Sequence, residues 1–207
     1  MNRKPRNHRL KLFNFAFENK LLDHNHHTFS CTIDEIKKYT NKEYSFVDLL
    51  PYKSNLDITK TIQQHLTTKN AMPFNTSYVD FITETRFEHN GPVILTEKIS
   101  QPIYNLQPFV CCSTPGTLKV LKEKGFKTFS NWWSEDYDNI IDNEKRFDAI
   151  CNLYEEMSLL DDNQWVNLIF DMKDVLLHNF NLVNEQLSQG NFYSNINSYF
   201  ENNQIDK

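Results

Sequence analysis

Apolar residues recur along this chain at spacings typical of both helices and strands. The segment 7–22 predicts an amphipathic helix, because one set of apolar side chains falls on a single face: Leu10, Phe13, Phe17 and Leu21. Short apolar runs predict strands at 27–33, 78–84, 108–112 and 126–129. Further helical patterns begin near residues 96 and 114 and cover 142–159, 161–188 and a short aromatic tail at 192–201.

Three local signals give the bounds of the middle helices. Thr96 precedes an apolar stretch as a predicted N-cap. Thr114 is predicted to cap the next helix, with Pro115 at its first position, where proline's missing N–H is harmless. Gly125 then predicts a left-handed stop. In the segment 142–159, one helical face carries the apolar residues of a core rather than a cofactor site: Phe147, Ile150, Leu153, Tyr154 and Met157.

Short strands that alternate with helices predict parallel crossovers, and so an α/β fold with a single Rossmann-like domain and a parallel sheet. We assign this domain to 1–140, with a poorly defined polar insertion at 34–76 that contains a weak helix near 57–68. Residues 141–207 are predicted to form a helical C-terminal extension that packs on it. In such sheets ligands gather at the carboxyl ends of the strands.

Composition narrows the function classes. The 207 residues include 39% hydrophobic ones, enough for one substantial domain, and the formal net charge of −5 with scattered basic residues makes nucleic acid an unlikely main partner. Only the basic N-terminus favours RNA binding, which ranks last. Four glycines are too few for a glycine-rich phosphate loop, and four cysteines without CxxC spacing predict reduced, buried thiols. Without an apolar span or a signal peptide pattern, the expected location is the cytoplasm.

Two charged segments are candidates for binding an anion or a sugar. Arg3, Arg6 and Arg9 lie at the start of the first predicted helix, where guanidinium groups and free N–H groups suit an anion; the alternative is a solvated tail. Glu97 and Lys98 follow the predicted cap Thr96 and would suit a sugar hydroxyl and a phosphate respectively. There the alternative is a capped helix with exposed charges.

Two further positions bear on the site. Glu84 ends a predicted strand, where it would either hold ligand hydroxyls or simply face solvent. His24, His26 and His27 resemble metal ligands, but no cluster of Cys, Asp or Glu pairs with them, so a loop is the favoured interpretation. The sequence therefore predicts no metal site.

The order of these motifs resembles a family of uncharacterised proteins, common in phages and marine microbes, described only as glycosyltransferase-like. The matching segments extend from residue 2 to about residue 142: NRKPRNHR at 2–9, LTEKISQP at 95–102, QPFV at 107–110, PGTL at 115–118, KGFKTF at 124–129 and SEDYD at 134–138.

A more distant resemblance is to the donor-binding half of the α-1,3-fucosyltransferases, which have the GT-B fold. The order of Arg9, 81–85, 96–98 and 107–110 is similar to that family's order of motifs. The resemblance implies a GT-B donor-type domain that binds a nucleotide-diphosphate sugar as donor substrate, without a metal or other cofactor. It assigns the diphosphate to Arg9 and Lys98, supported by Arg6 and Arg3, and the ribose and sugar to Glu97, Glu84 and Thr96.

The chain also departs from that family. Thr85 replaces an asparagine of the fucosyltransferase motif, which leaves the donor sugar open. The acceptor domain that normally precedes the matched segment is not expected here, because Met1 directly precedes the arginine motif. The expected activity is inverting sugar transfer to an acceptor hydroxyl, with the catalytic base unassigned. The alternatives are a partner chain that supplies the acceptor domain, or a non-catalytic binding or assembly protein, viral in the host cytoplasm if it comes from a phage.

Overall fold

A parallel β-α-β unit organises the part of the chain described by the computed structural model, which covers residues 4–22, 28–29, 31–53 and 77–188. Strand β3 (Asp80–Thr83) runs parallel to β4 (Phe109–Cys112), in a register that places Asp80 opposite Phe109 and Thr83 opposite Cys112. Helix α3 (Glu97–Tyr104) connects them. This confirms the predicted parallel crossover and a mixed α/β architecture; within the described ranges the parallel sheet has these two strands.

The remaining elements lie on either side of this unit in the chain. A separate antiparallel pair joins β1 (Thr28–Phe29) to β2 (Tyr52–Lys53). The other helices are α1 (Asn7–Glu18), α2 (Ile33–Tyr39), α4 (Thr117–Glu123), α5 (Asn143–Ser158) and α6 (Asp162–Ser188), with 3₁₀ turns at Val47–Leu49 and Asp136–Asn139. The predicted helices at 57–68 and 192–201 lie outside the described residues.

Helix α1 packs between two apolar clusters. Leu12 and Ala16 belong to the main core around β3 and β4, whereas Leu10 and Phe13 belong to a smaller cluster with Phe29, Cys31, Ile36 and Phe46. The predicted helix is confirmed, but it ends at Glu18 rather than at residue 22, and Leu21 packs on the main core. A single apolar face was too simple an expectation, because this helix contacts a cluster on each side.

The predicted strand at 27–33 is shorter than expected. Its last residues are used to start α2, where the Thr32 hydroxyl accepts from the N–H of Glu35 and the Glu35 carboxylate accepts from the N–H of Thr32. This reciprocal capping box fixes the helix start at Ile33. The T-x-x-E pattern at residues 32–35 is visible in the sequence, but it overlaps the apolar run that predicts a strand.

The predicted strand at 126–129 is wrong. The main chain of Lys127 pairs with a side chain instead: its N–H donates to Oδ1 of Asn179 and its carbonyl accepts from Nδ2, both at 2.8 Å. The N–H of Phe129 donates to the Glu135 carboxylate at 2.6 Å. Side chains thus take the hydrogen bonds that a neighbouring strand would have supplied.

The predicted start of the helix after β4 is also wrong. Helix α4 begins at Thr117, three residues beyond Thr114, and its N-cap is Gly116 at φ +83°. The carboxylate of Asp138 accepts from the N–H groups of Leu118 and Lys119 at 3.1–3.2 Å, so the cap comes from a distant residue. The stop at Gly125, at φ +89°, is confirmed.

The C-terminal helices contribute to the same core as the strands. The helices predicted at 142–159 and 161–188 are confirmed, and the predicted core face of α5 is buried. Helix α6 contacts α3, and its Trp165 stacks on Tyr78 with ring centroids 5.7 Å apart. All four cysteines are free and buried. None of the described helices is long and apolar enough to cross a membrane.

Candidate functional site

The first turn of α1 is attached to the carboxyl end of β3. Arg9 is only 5% exposed, and its Nη2 donates to the carbonyl oxygens of Thr83 and Glu84, both at 3.1 Å. His8, equally buried, lies with Nε2 2.9 Å from the same Glu84 carbonyl and stacks on the ring of Phe87. Because a carbonyl can only accept, Nε2 is the protonated nitrogen.

Burial keeps His8 neutral. It lowers the pKa of the imidazole to about 4, with the positive charge of Arg9 acting in the same direction and the hydrogen bond to the Glu84 carbonyl acting against it. The end of β3 is therefore held by one permanent cation and one neutral ring. Both donate to main-chain carbonyls at this edge of the sheet.

The side chain of Glu84 turns to the N-terminus of α3. It is 1% exposed and accepts from the N–H of Thr96 at 3.1 Å, from the Thr96 hydroxyl at 2.7 Å and from the N–H of Thr85 at 3.1 Å. Burial raises the pKa of this carboxyl, and the hydrogen bonds from Thr96 and the charge of Lys98 oppose that rise. Glu84 therefore joins the end of β3 to the start of α3.

Lys98 completes the cluster at the start of α3. Its ammonium nitrogen lies 3.1 Å from the Thr96 hydroxyl, 3.2 Å from Oε1 of Glu97 and 4.0 Å from Oε2 of Glu84. The Thr96 hydroxyl also accepts from the N–H of Lys98, which confirms the predicted N-cap. Lys98 and Glu97 retain 25% and 48% side-chain exposure, so this ion pair is open to solvent.

The structure brings most of the predicted site residues together. Arg9, Glu84, Thr96, Glu97 and Lys98 meet where β3 ends and α3 begins, as the contacts above establish; we call these five residues the β3-end cluster. Arg6 is half-buried. Its positive charge lowers the pKa of both Arg9 and His8, so it lies near this cluster. Arg3 and the histidines at 24–27 lie outside the described residues.

The burial and the hydrogen bonds of these residues limit the roles that each can have. Glu84 is buried and hydrogen-bonded, so the solvent-facing alternative is wrong. Arg9 donates through both terminal nitrogens to main-chain carbonyls, with Nη2 bound to the end of β3 and Nη1 to Lys4, so it is a residue that positions the strand end. Lys98 and Glu97 are the members of the cluster with accessible charge. Their action on a ligand stays a prediction.

No protein-family model, curated protein or solved structure matches this chain. The resemblances to glycosyltransferases therefore remain expectations from the sequence. Functional conclusions depend on the geometry of the cluster.

Sequence reasoning did not predict the burial of several polar residues near the strand ends. Thr114, at the carboxyl end of β4, is 3% exposed, and no described residue is a hydrogen-bond partner of its hydroxyl. Arg146 is 1% exposed and donates to the carbonyls of Ile140, Ile141 and Phe87. His8 could have been found, because it lies within the basic motif; the partners of Arg146 are distant in sequence and gave no signal.

A second polar region surrounds the start of α4. It borders a groove of about 510 Å³ lined by Lys119, Lys122, Ser130, Ser134, Asp136 and neighbouring residues. None of the predicted ligand residues lines this groove. Within the described ranges, no three His, Cys, Asp or Glu side chains are grouped so that they could hold a metal ion.

Proposed function

We propose that this chain is a glycosyltransferase-like protein, with a single Rossmann-like domain of the GT-B donor type, that binds a nucleotide-diphosphate sugar at the β3-end cluster. The observation that carries the proposal is the meeting of α1, the end of β3 and the start of α3 around Lys98. Ligands of parallel α/β sheets bind at this edge, and a helix N-terminus there favours phosphate.

The exposed members of the cluster would contact the donor. Lys98 would exchange its solvent-exposed pairing with Glu97 for a phosphate oxygen, and Arg6 would supply a second cation from the start of α1. Glu97, once released, would accept from the ribose hydroxyls. Arg9 and Glu84 would hold the strand end and the helix start in register.

These cations would also assist sugar transfer. The departing nucleoside diphosphate gains negative charge as the glycosidic bond breaks, and fixed cations beside it stabilise that charge in the transition state. The acceptor would be a hydroxyl group, as the fucosyltransferase resemblance implies. A general base remains unassigned among the described residues.

Thermal unfolding of the full chain with GDP, UDP, CDP, ADP and their sugars tests the proposal. A nucleotide present at about 100 times its dissociation constant should stabilise the protein by about 2.7 kcal/mol. Lys98→Ala and Arg6→Ala should abolish this shift, while Lys124→Ala, which removes an exposed lysine at the end of α4, should retain it. A flat response to every nucleotide by the folded wild type, or equal shifts in all variants, contradicts the proposal.

The Glu97→Gln variant sharpens the assignment. It removes the nearer of the two carboxylates beside Lys98, so binding of inorganic pyrophosphate should become tighter. Binding of the nucleoside diphosphate should gain less, because the variant loses the ribose acceptor. Equal gains for both ligands would exclude a ribose role for Glu97.

A non-catalytic binding or assembly protein is the second candidate. It is favoured by large apolar side chains that α6 and the preceding turn expose to solvent, since such surfaces are typical of protein contacts. A folded protein that ignores the whole nucleotide panel would favour this function.

A further inference from the structure

Helix α6 exposes an apolar stripe on the side away from the core. Val166, Phe170 and Leu177 are 44%, 72% and 38% exposed, and Leu159, in the turn before the helix, is 79% exposed. The opposite side is buried through Trp165, Met172, Leu176, Asn179 and Val183. At about 100° per residue, Val166, Phe170 and Leu177 lie within about 40° of one another. A helix surface that only faces solvent normally carries polar residues, so this apolar stripe is typical of a contact surface.

The spacing of the stripe is symmetric about residue 168. Two copies of α6 that run antiparallel across a two-fold axis at that level would place Val166 opposite Phe170 of the second copy. Leu177 would then lie beyond the first turn of the second helix, on the side of the turn that contains Leu159. The helical part of the contact, from residue 162 to residue 174, would extend over about 18 Å, because each step rises by about 1.5 Å.

The charges of the helix fit the same register. Lys173 lies in the stripe and is exposed. In the antiparallel pair it falls level with Asn163 of the second copy and next to Asp162 in that copy's first turn, on the same side of the helix pair. A parallel pair in register would instead bring the two Lys173 ammonium groups together. Burial and the Asp162 carboxylate raise the pKa of the Tyr78 hydroxyl, so this acidic residue lies beside Tyr78 in the first turn of the helix.

We propose that the chain forms a two-fold symmetric homodimer through antiparallel packing of α6, with Val166 and Phe170 at the centre and Lys173–Asp162 pairs at both ends. This self-complementary arrangement commits the stripe to a second copy of the chain. It does not depend on nucleotide binding, because the β3-end cluster contributes no residue to it.

Sedimentation of the full chain between about 1 and 300 µM tests the proposal, since an interface of one helix pair is small and its dimer concentration-dependent. Wild type should shift from monomer to dimer over this range. Phe170→Glu should weaken the dimer by more than about tenfold, because it places a carboxylate at the centre of the contact. Asp171→Lys, an exposed change on a different side of α6, should leave it unchanged.

The charge pair gives an independent readout. Lys173→Asp should weaken the dimer, and Lys173→Asp combined with Asp162→Lys should restore it, because the swapped charges again face each other. Circular dichroism and melting temperature verify that each variant is folded. A wild type that stays monomeric at every concentration overturns the proposal, as does a Phe170→Glu variant that dimerises like wild type. In the monomeric case, a lower melting temperature of Phe170→Glu would indicate that another segment of the same chain covers the stripe.

Discussion

The helices that follow β3 and β4 have similar hydrogen-bond acceptors at their N-termini, but the surroundings of these acceptors differ. Each strand leads to a helix whose N-terminus is held by a buried carboxylate, Glu84 for α3 and Asp138 for α4. Burial raises the pKa of both carboxyls, and hydrogen bonds from helix N–H groups oppose the rise. The difference lies in the cations around them.

At the β3 end, Lys98 and the guanidinium of Arg9 lie next to the carboxylate or its own main chain. At the β4 end, Lys122 is paired with Glu135, and Asp138 receives only main-chain donors. A buried carboxylate at a strand end is thus part of the architecture and not by itself a ligand site. What distinguishes the β3 end is a lysine ammonium that lies 4.0 Å from the buried carboxylate itself, whereas the more exposed Lys122 at the β4 end pairs with Glu135.

The largest expected effect is on the free energy of unfolding, which should fall more when Glu84 is replaced than when Asp138 is replaced. Glu84→Leu should lower the free energy of unfolding by about 3 kcal/mol, because it leaves the half-buried Thr96 and Thr85 donors without the carboxylate that accepts from them. Asp138→Leu should cost about 2 kcal/mol, because the N–H of Lys119 can turn to water. Urea unfolding measures both.

Matched exposed positions provide the controls for this comparison. Glu97→Gln and Asp136→Asn, both at exposed residues, should change the free energy of unfolding by less than about 0.5 kcal/mol. Equal losses in Glu84→Leu and Asp138→Leu would show that the two strand ends are energetically alike.

The next effect is the pH dependence that His8 contributes at the β3 end. The His8 pKa is about 4 in the folded protein and 6.5 as the ordinary value, so the unfolded chain binds the extra proton first as pH falls. The stabilisation from His8 is complete above pH 6.5 and is lost between pH 6.5 and 4. Wild type should lose about 3 kcal/mol more than His8→Gln over this interval.

Comparison with His8→Gln isolates this group. The glutamine amide can still donate to the Glu84 carbonyl, and the raised pKa values of Glu84 and Asp138, which act in the opposite direction, are common to both proteins. Unfolding free energies measured at several pH values give the two profiles. Parallel profiles would mean that His8 takes up its proton while folded.

The smallest effect compares two threonines that the sequence marks as equivalent caps. Thr96→Ala should cost about 1 kcal/mol, because its hydroxyl connects Glu84 with α3. Thr114→Val should change stability by less than about 0.5 kcal/mol, since no described residue bonds its hydroxyl and valine has the same shape. Thermal unfolding of both variants measures the contrast, and a larger loss in Thr114→Val would reveal a partner for that hydroxyl.

Sequence reasoning succeeded where the determining signal is local. The cap at Thr96, the stop at Gly125 and the apolar face of α5 each depend on residues within one or two turns. The parallel crossover followed from the order of such elements. The structure also brings together residues 84, 96, 97 and 98, a grouping that the fucosyltransferase resemblance implied.

It failed where the partner is far away along the chain. Helix α4 is capped by Asp138, which follows Leu118 by 20 residues along the chain. The segment after Gly125 pairs with Asn179 rather than with a strand. The burial of Arg9 depends on carbonyls 74 and 75 residues away. Residue type and spacing carry no information on such distant pairings. From the sequence, an arginine that binds a ligand therefore looks the same as one that binds the protein's own main chain.

The pairing of Lys127 with Asn179 has a consequence for the order of synthesis. The two residues are 52 positions apart, so the ribosome releases the segment after Gly125 well before the amide that completes its hydrogen bonds. A nascent chain that ends before Asn179 contains the residues of all four described strands and of the β3-end cluster, but it lacks the amide that pairs with Lys127. The main chain of Lys127 therefore gains this partner only once that part of α6 has been synthesised.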